Sequence, residues 1–165
     1  MGSPIPLSEE VVCCSGTGSG DSRLVSFDAA LVDAGVGNAN LIEVSSIVPE
    51  RAEIRTGVPA SRLRERVVPG GFYPAVLSRA FSTAPDERVY AAVAACRLDA
   101  GYGVNVELSG TGADPAAIEA RCLDRLEGMA ATRDAELVGE PSVEYAATAA
   151  EKGEHACAVA QAVYL

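Results

Sequence analysis

One long helix set among strands is the feature of this sequence that most restricts its fold. Asp114-Pro115 is a strong helix start, because the carboxylate can cap the first turn and proline favours the first helical position. Apolar residues then recur at near-helical intervals, so we predict one helix that runs to about Arg133. These apolar residues are Ile118, Cys122, Leu126 and Met129.

Most of the remaining chain has the pattern of β-strands. The clearest example is Tyr102 to Ser109, where apolar and polar residues alternate. Val89 to Leu98 stays open between helix and strand, because its alanines favour a helix whereas its short length and the nearby Gly101 allow a strand. The other predicted strands are Glu10 to Cys14, Leu41 to Val48, Phe72 to Ser82, Glu136 to Tyr145 and His155 to Tyr164.

Three shorter segments are interpreted as a helix, a loop and a helical turn. Ser26 to Ala34 has a helical apolar face, with Ser26 placed to cap it and Gly35 to end it. Ser15 to Asp21 is rich in glycine and hydroxyl residues, so we predict a loop there, and Ala60 to Arg66 suits a helical turn. This order of elements predicts a single α+β domain, an αββα-type sandwich of mostly antiparallel sheets with covering helices.

The composition argues against several classes of function. The net charge of −10 would repel phosphate backbones, so we expect no nucleic-acid partner, and no stretch approaches the roughly 20 apolar residues of a membrane span. Five cysteines form an odd count without a CxxC pair, and His155 is the one histidine. We therefore expect no metal site, no Ser-His-Asp triad, no membrane association and a soluble, cytoplasmic protein.

The most informative segment runs from Phe27-Asp28 to Pro49. It contains GVGNANL at 35–41 and SSIVP at 45–49. It resembles the self-processing region of the pyruvoyl-dependent arginine decarboxylases, whose pattern is a helix with FD, then GxGNxNL, then SSI[MV]P. The resemblance continues at 103–107, in the helix after Asp114, at 143–145 and in the C-terminal strand, and so covers most of the chain.

The resemblance implies that the chain cleaves itself between Ser45 and Ser46. The Ser46 hydroxyl attacks the Ser45 carbonyl carbon, and the amide becomes an ester through a tetrahedral oxyanion. Elimination frees Ser45 as a carboxylate and leaves dehydroalanine at Ser46, which hydrolyses to a covalently bound pyruvoyl group and ammonia. The products would be a β chain of residues 1–45 and an α chain of residues 46–165.

The resemblance also implies roles in the conversion of arginine to agmatine and CO2, a reaction of polyamine biosynthesis. The pyruvoyl ketone forms a Schiff base with the α-amine and withdraws electrons as the carboxylate leaves. Glu107 would be the general acid that protonates Cα, and Asn40 would polarise the Ser45 carbonyl. The substrate-binding residues would be Asp28 on the guanidinium, Leu31 on the aliphatic part, and the Gly37 and Ala39 carbonyls.

By the same resemblance the subunits form a homotrimer or a dimer of trimers, with active sites shared between neighbours. Two alternatives to arginine decarboxylation stay open from the sequence. The same chemistry could act on another amino acid, or the chain could be a non-processing paralogue that serves as a binding or regulatory subunit.

Overall fold

The computed structural model describes residues 7–112 and 114–165, which form three helices and nine strands. The helices are α1 (Arg23–Asp33), α2 (Ala60–Arg66) and α3 (Pro115–Ala131). The strands are β1 (Glu10–Gly20), β2 (Asn40–Glu43), β3 (Ile47–Val48), β4 (Glu53–Arg55), β5 (Phe72–Ser82), β6 (Val89–Leu98), β7 (Gly103–Thr111), β8 (Leu137–Thr148) and β9 (His155–Tyr164). None of these helices combines the length and the apolar character that crossing a bilayer requires.

The strands form two packed sheets that the helices cover on the outside. The first sheet has the order β2-β5-β9-β1-β4 and the second β3-β7-β6-β8, and all pairings but β1–β4 and β2–β5 are antiparallel. Side chains of α1 and α2 pack on the first sheet, and those of α3 pack on the second. A third cluster of buried residues fills the space between the sheets. The α+β sandwich expected from the sequence is thus confirmed.

The glycine-rich segment 15–21 is not the loop that its composition predicts, because β1 continues through it to Gly20. Along this stretch β1 pairs with β9 over its whole length, and α1 lies directly on it. A Cβ at Gly16 would lie 2.6 Å from the Ala30 carbonyl oxygen, and one at Gly18 would overlap the same helix. The glycines therefore allow helix and strand backbones to approach closely, a use of glycine that local propensity does not reveal.

Replacing Gly18 with alanine is expected to destabilise the fold by about 1–3 kcal/mol, because α1 must move outward to admit the methyl group. Urea unfolding of the purified protein measures this change. Gly128→Ala is the matched control, since Gly128 is exposed within α3 and its Cβ would meet open space. That control is expected to raise stability by up to about 1 kcal/mol. A Gly18→Ala protein as stable as the wild type would contradict the close-packing explanation.

Two other local predictions are wrong in detail. Helix α1 begins three residues earlier than expected, because Ser22 is its N-cap and accepts a hydrogen bond from Val25 N–H. Ser26 is instead buried inside the helix, where its hydroxyl donates to the Arg23 carbonyl. The expected strand from Leu41 to Val48 is also interrupted, since residues 44–46 have no regular structure.

Several other elements agree with prediction. The bounds of α2, β5 and β9 match those expected, and α3 ends two residues before Arg133. Asp114 is the N-cap residue of α3, although its side chain makes no capping hydrogen bond. The ambiguous segment Val89 to Leu98 is β6, which lies inside the second sheet between β7 and β8.

Candidate active site

Ser45 and Ser46 lie where the chain crosses from one sheet to the other. The crossing starts at β2, an edge strand of the first sheet, and ends at β3, an edge strand of the second. Before the Ser45–Ser46 bond, Val44 N–H donates to the Ala75 carbonyl at 3.1 Å; after it, Asn105 N–H donates to the Ser46 carbonyl at 3.0 Å. Each side of the bond is therefore attached to a different sheet, so breaking it would leave both sheets intact.

Ser46 and Glu107 line the same pocket, which has a volume of about 350 Å³. The pocket lies between β7 and α3, and the remaining lining residues are Asn105, Val106, Arg125, Gly128, Met129 and Thr132. Glu107 is exposed on the strand face opposite Val106, which is buried against α3, as its position in the alternating pattern predicts. Arg125 holds the edge of β7 by donating to the Glu107 carbonyl oxygen at 2.8 Å.

A buried pair of polar side chains supports the residues that follow Ser45. The Asn105 amide Nδ2 donates to the Tyr164 hydroxyl at 2.8 Å, and that hydroxyl donates to the Ile47 carbonyl at 2.9 Å. Burial raises the pKa of Tyr164, and the Asn105 hydrogen bond acts against that rise. The hydroxyl thus keeps its proton at neutral pH and remains a donor.

Sequence reasoning assigned no role to Asn105 or Tyr164. Both lie in segments that were recognised as strands, and Asn105 precedes Glu107 by two residues, so the two share a strand face. The one available signal was the polar end of Tyr164 in an otherwise apolar C-terminal run. The packing of the two sheets determines which strand the Tyr164 hydroxyl faces. A local sequence pattern carries no information about that packing.

The structure does not bring Asn40 to the Ser45 carbonyl within one subunit. Asn40 begins β2, and Ser45 lies beyond the other end of that strand. The Asn40 side-chain amide donates to the Gly70 carbonyl at 2.9 Å, and its backbone N–H donates to the Gly71 carbonyl at 2.8 Å. Asn40 therefore holds the turn before β5 in place.

The four predicted substrate-binding residues lie on a different side of the subunit. Asp28 and Leu31 belong to α1, and Gly37 and Ala39 to the segment that follows it. Leu31 and Ala39 pack partly against the core outside the first sheet, while Asp28 is exposed. None of the four lines the pocket that contains Ser46.

The five cysteines are buried free thiols, and none of them lines the Ser46 pocket. Burial raises the pKa of Cys13 and of Cys14 to about 12, so both thiols are neutral at ordinary pH. Because the thiolate is the nucleophilic form, these buried cysteines are unreactive. Among the described lining residues, Ser46 and Thr132 carry hydroxyl groups, and the Thr132 hydroxyl donates to the Met129 carbonyl at 2.8 Å.

Comparison with known proteins identifies the family of this chain. A family model described as pyruvoyl-dependent arginine decarboxylase matches residues 10–165. A protein of that name from Methanopyrus kandleri is 38% identical over 151 residues, which cover 91% of this chain and 92% of the relative. Another, from Methanothermobacter thermautotrophicus, is 33% identical over 128 residues, covering 78% and 80%. The chain therefore belongs to the pyruvoyl-dependent arginine decarboxylase family, carboxy-lyases whose pyruvoyl group is covalently bound.

Proposed function

We propose that this chain cuts itself between Ser45 and Ser46 and then, with the pyruvoyl group at position 46, converts arginine to agmatine and CO2. The observation that carries the proposal is the shared pocket of Ser46 and Glu107. A shared pocket supports a role for the Glu107 carboxyl group in exchanging a proton with a substrate bound at position 46. Family membership supplies the reaction class, and the relatives' names supply arginine.

The surroundings of Ser46 fit a pyruvoyl group at that position. Ser46 is half-buried beside open pocket volume, and its backbone carbonyl accepts the Asn105 N–H. That hydrogen bond involves an atom that cleavage leaves in place, so the new chain end would stay fixed. The group supplies an electron sink for the electron pair that remains at Cα when CO2 departs. Glu107 would then deliver the proton that replaces the carboxylate.

Arginine binding would depend on Asp28. A carboxylate suits the guanidinium because the two can make paired, charge-assisted hydrogen bonds. Asp28 is exposed on α1 and outside the Ser46 pocket, so we propose that it serves the pocket of a neighbouring subunit. The net charge of −10 would also favour the approach of a cationic substrate.

The assembly that we propose is a homotrimer or a dimer of trimers. Its support is a set of exposed apolar side chains in or near the crossing segment, residues 44–46, which joins the two sheets. These side chains are Ile42, Val44, Ile47 and, on the strand paired with β2, Phe72. These side chains are 40–73% exposed. A contiguous exposed apolar surface is typical of a site that binds another protein, and we propose that they form one. Burial of this surface would also enclose the neighbourhood of Ser46. The cytoplasm is the proposed compartment, because it keeps free thiols reduced.

Denaturing mass spectrometry of the purified protein tests the proposal. We expect two fragments, residues 1–45 and residues 46–165, the second blocked at its N-terminus by a carbonyl group. Incubation with arginine is expected to yield agmatine, whereas lysine and ornithine serve as competing basic substrates. A cut protein that forms another amine in preference to agmatine would refute arginine as substrate, and an uncut, inactive protein would refute the proposal as a whole.

Replacing Glu107 with glutamine is expected to abolish most decarboxylation without preventing self-cleavage. Self-cleavage should persist, because the amide keeps the size of the side chain and the Ser46 hydroxyl is untouched. Agmatine formation is expected to fall about 100-fold or more, since glutamine cannot donate the proton. Glu127→Gln, an exposed carboxylate on α3 outside this pocket, is the control. Equal kcat values for Glu107→Gln and wild type would exclude Glu107 as the general acid.

A further inference from the structure

The backbone around Ser46 is folded into a tight turn that polarises the carbonyl to be attacked. Ile47 N–H donates to the Ser45 carbonyl oxygen at 3.0 Å, which closes a three-residue turn centred on Ser46. During attack by the Ser46 hydroxyl, this oxygen acquires the negative charge of the tetrahedral stage. Ile47 N–H thus already occupies the position in which an oxyanion donor is required.

Asn105 holds the backbone carbonyl groups of Ser46 and Ile47 in place. Its backbone N–H holds the Ser46 carbonyl directly at 3.0 Å. Its side-chain amide holds the Ile47 carbonyl through the Tyr164 hydroxyl. Asn105 is fully buried and Tyr164 is 6% exposed, so both lie in the core. The turn is therefore fastened to the core at two consecutive carbonyl groups.

The donor and acceptor roles in this chain of hydrogen bonds determine the orientation of the Asn105 amide. Tyr164 has one hydroxyl proton, which it donates to Ile47, so it must accept from Asn105 Nδ2. The other amide atom, Oδ1, is buried and has no hydrogen-bond partner among the described residues. Such a buried, unpartnered acceptor is unusual in folded proteins. Ser46 lines the same pocket as Asn105, and a serine hydroxyl is a donor that could satisfy this oxygen.

We propose that Asn105 and Tyr164 are positioning residues for self-cleavage. They hold the turn so that Ile47 N–H stays on the Ser45 carbonyl oxygen, while Asn105 Oδ1 accepts a hydrogen bond from the Ser46 hydroxyl and orients it for attack. The Oγ–C bond to Ser45 forms, the Ser45–Ser46 C–N bond breaks, and the hydroxyl proton ends on the released Ser46 amine. This inference rests on the proposed self-cleavage and adds the groups that make the turn reactive.

The contacts that Asn105 and Tyr164 make with this turn lie wholly within the fragment 46–165. They join the Ser46 and Ile47 carbonyls to Asn105 and Tyr164, so none of them crosses the Ser45–Ser46 bond. The Ile47 N–H bond to the Ser45 carbonyl is the contact of the turn that does cross it. The hydrogen bonds from Asn105 and Tyr164 that orient the turn before cleavage would therefore also hold the new chain end against β7.

Tyr164→Phe is the direct test, because it removes one hydroxyl from the core and leaves the ring. In freshly purified precursor, the first-order rate of cleavage is followed by intact mass, and the variant is expected to be about tenfold slower than wild type. Tyr90→Phe is the matched control, since the Tyr90 hydroxyl is also buried and bonded, to Arg121, but faces α3. Its cleavage rate should stay within about twofold of wild type.

Two further measurements separate positioning from general loss of structure. Hydroxylamine cuts an ester once it has formed. If ester formation is the step slowed in Tyr164→Phe, added hydroxylamine should therefore leave its cleavage rate low. The thermal midpoint shows whether the variant is folded. If Tyr164→Phe does not fold, Asn105→Asp decides, because it lacks the Nδ2 donor but keeps the backbone N–H, and it too should cleave about tenfold more slowly.

The outcomes distinguish this inference from the function on which it rests. A wild-type chain that remains uncut overturns self-cleavage and the positioning role together. A wild type that cuts itself, beside folded Tyr164→Phe and Asn105→Asp variants that cut equally fast, overturns the positioning role alone. The positioning role is supported if Tyr164→Phe and Asn105→Asp are cut more slowly while the cleavage rate of Tyr90→Phe is unchanged.

Discussion

Replacing Ser46 with alanine is expected to yield a single uncut polypeptide without decarboxylase activity. The methyl group cannot attack the Ser45 carbonyl, so no ester forms and no pyruvoyl group can arise. Agmatine formation should fall more than about 1,000-fold, because without the ketone no group in the pocket can take up the electrons released with CO2. Intact mass under denaturing conditions and agmatine detection measure the two effects on the same sample.

Ser45→Ala is the matched control for this experiment. It removes a neighbouring hydroxyl of the same kind but leaves the nucleophile, the scissile carbonyl and the Ile47 N–H in place. We expect that variant to be cut and to retain decarboxylase activity. If the Ser46→Ala protein were still cut after residue 45, the assignment of Ser46 as the nucleophile would be wrong.

Mixed oligomers of Asp28→Asn and Ser46→Ala subunits are expected to recover activity that neither variant has alone. Asp28→Asn should cut itself but lose about 100-fold in kcat/KM, because the guanidinium loses its charged partner. Ser46→Ala keeps Asp28 but has no ketone. If each site combines Ser46 of one subunit with Asp28 of its neighbour, random mixing in equal amounts gives complete sites at about one quarter of the interfaces.

The measurement is agmatine formation after co-expression of the two variants and purification of the mixed oligomer. The control pairs Asp28→Asn with the double variant carrying both Asp28→Asn and Ser46→Ala, since no arrangement of those subunits can form a complete site. Activity in the first mixture that does not exceed this control would show that Asp28 does not serve a neighbouring pocket. Size-exclusion chromatography with light scattering gives the number of subunits independently.

Sequence patterns predicted the fold best where one periodicity held over a whole element. The boundaries of β9 and the length of α3 depend on which side chains are apolar, and this information is local. Val89 to Leu98 remained ambiguous because alanine is compatible with both helix and strand. Its position between β7 and β8 makes it a strand, since neighbouring strands on both sides satisfy its backbone groups.

The segment of residues 15–20 shows the opposite case, in which local propensity gave the wrong answer. Glycine disfavours a strand when nothing approaches it, but here the absent side chains are what allow α1 to lie on β1. The break at residues 44–46 likewise depends on tertiary structure, because the chain must leave one sheet there to join the other. A strand pattern along 41–48 cannot indicate that its two halves belong to different sheets.

The sequence by itself determined the family, the Ser45–Ser46 pair as the expected cleavage point and Glu107 as a carboxylate on the polar face of a strand, because motifs and alternation are properties of the chain. Only the tertiary structure placed Ser46 and Glu107 in one pocket, left Asp28 outside it, and joined Asn105 and Tyr164 beneath the crossing segment. These relations link residues up to 117 positions apart. They arise from the packing of two sheets against each other, which no local pattern encodes.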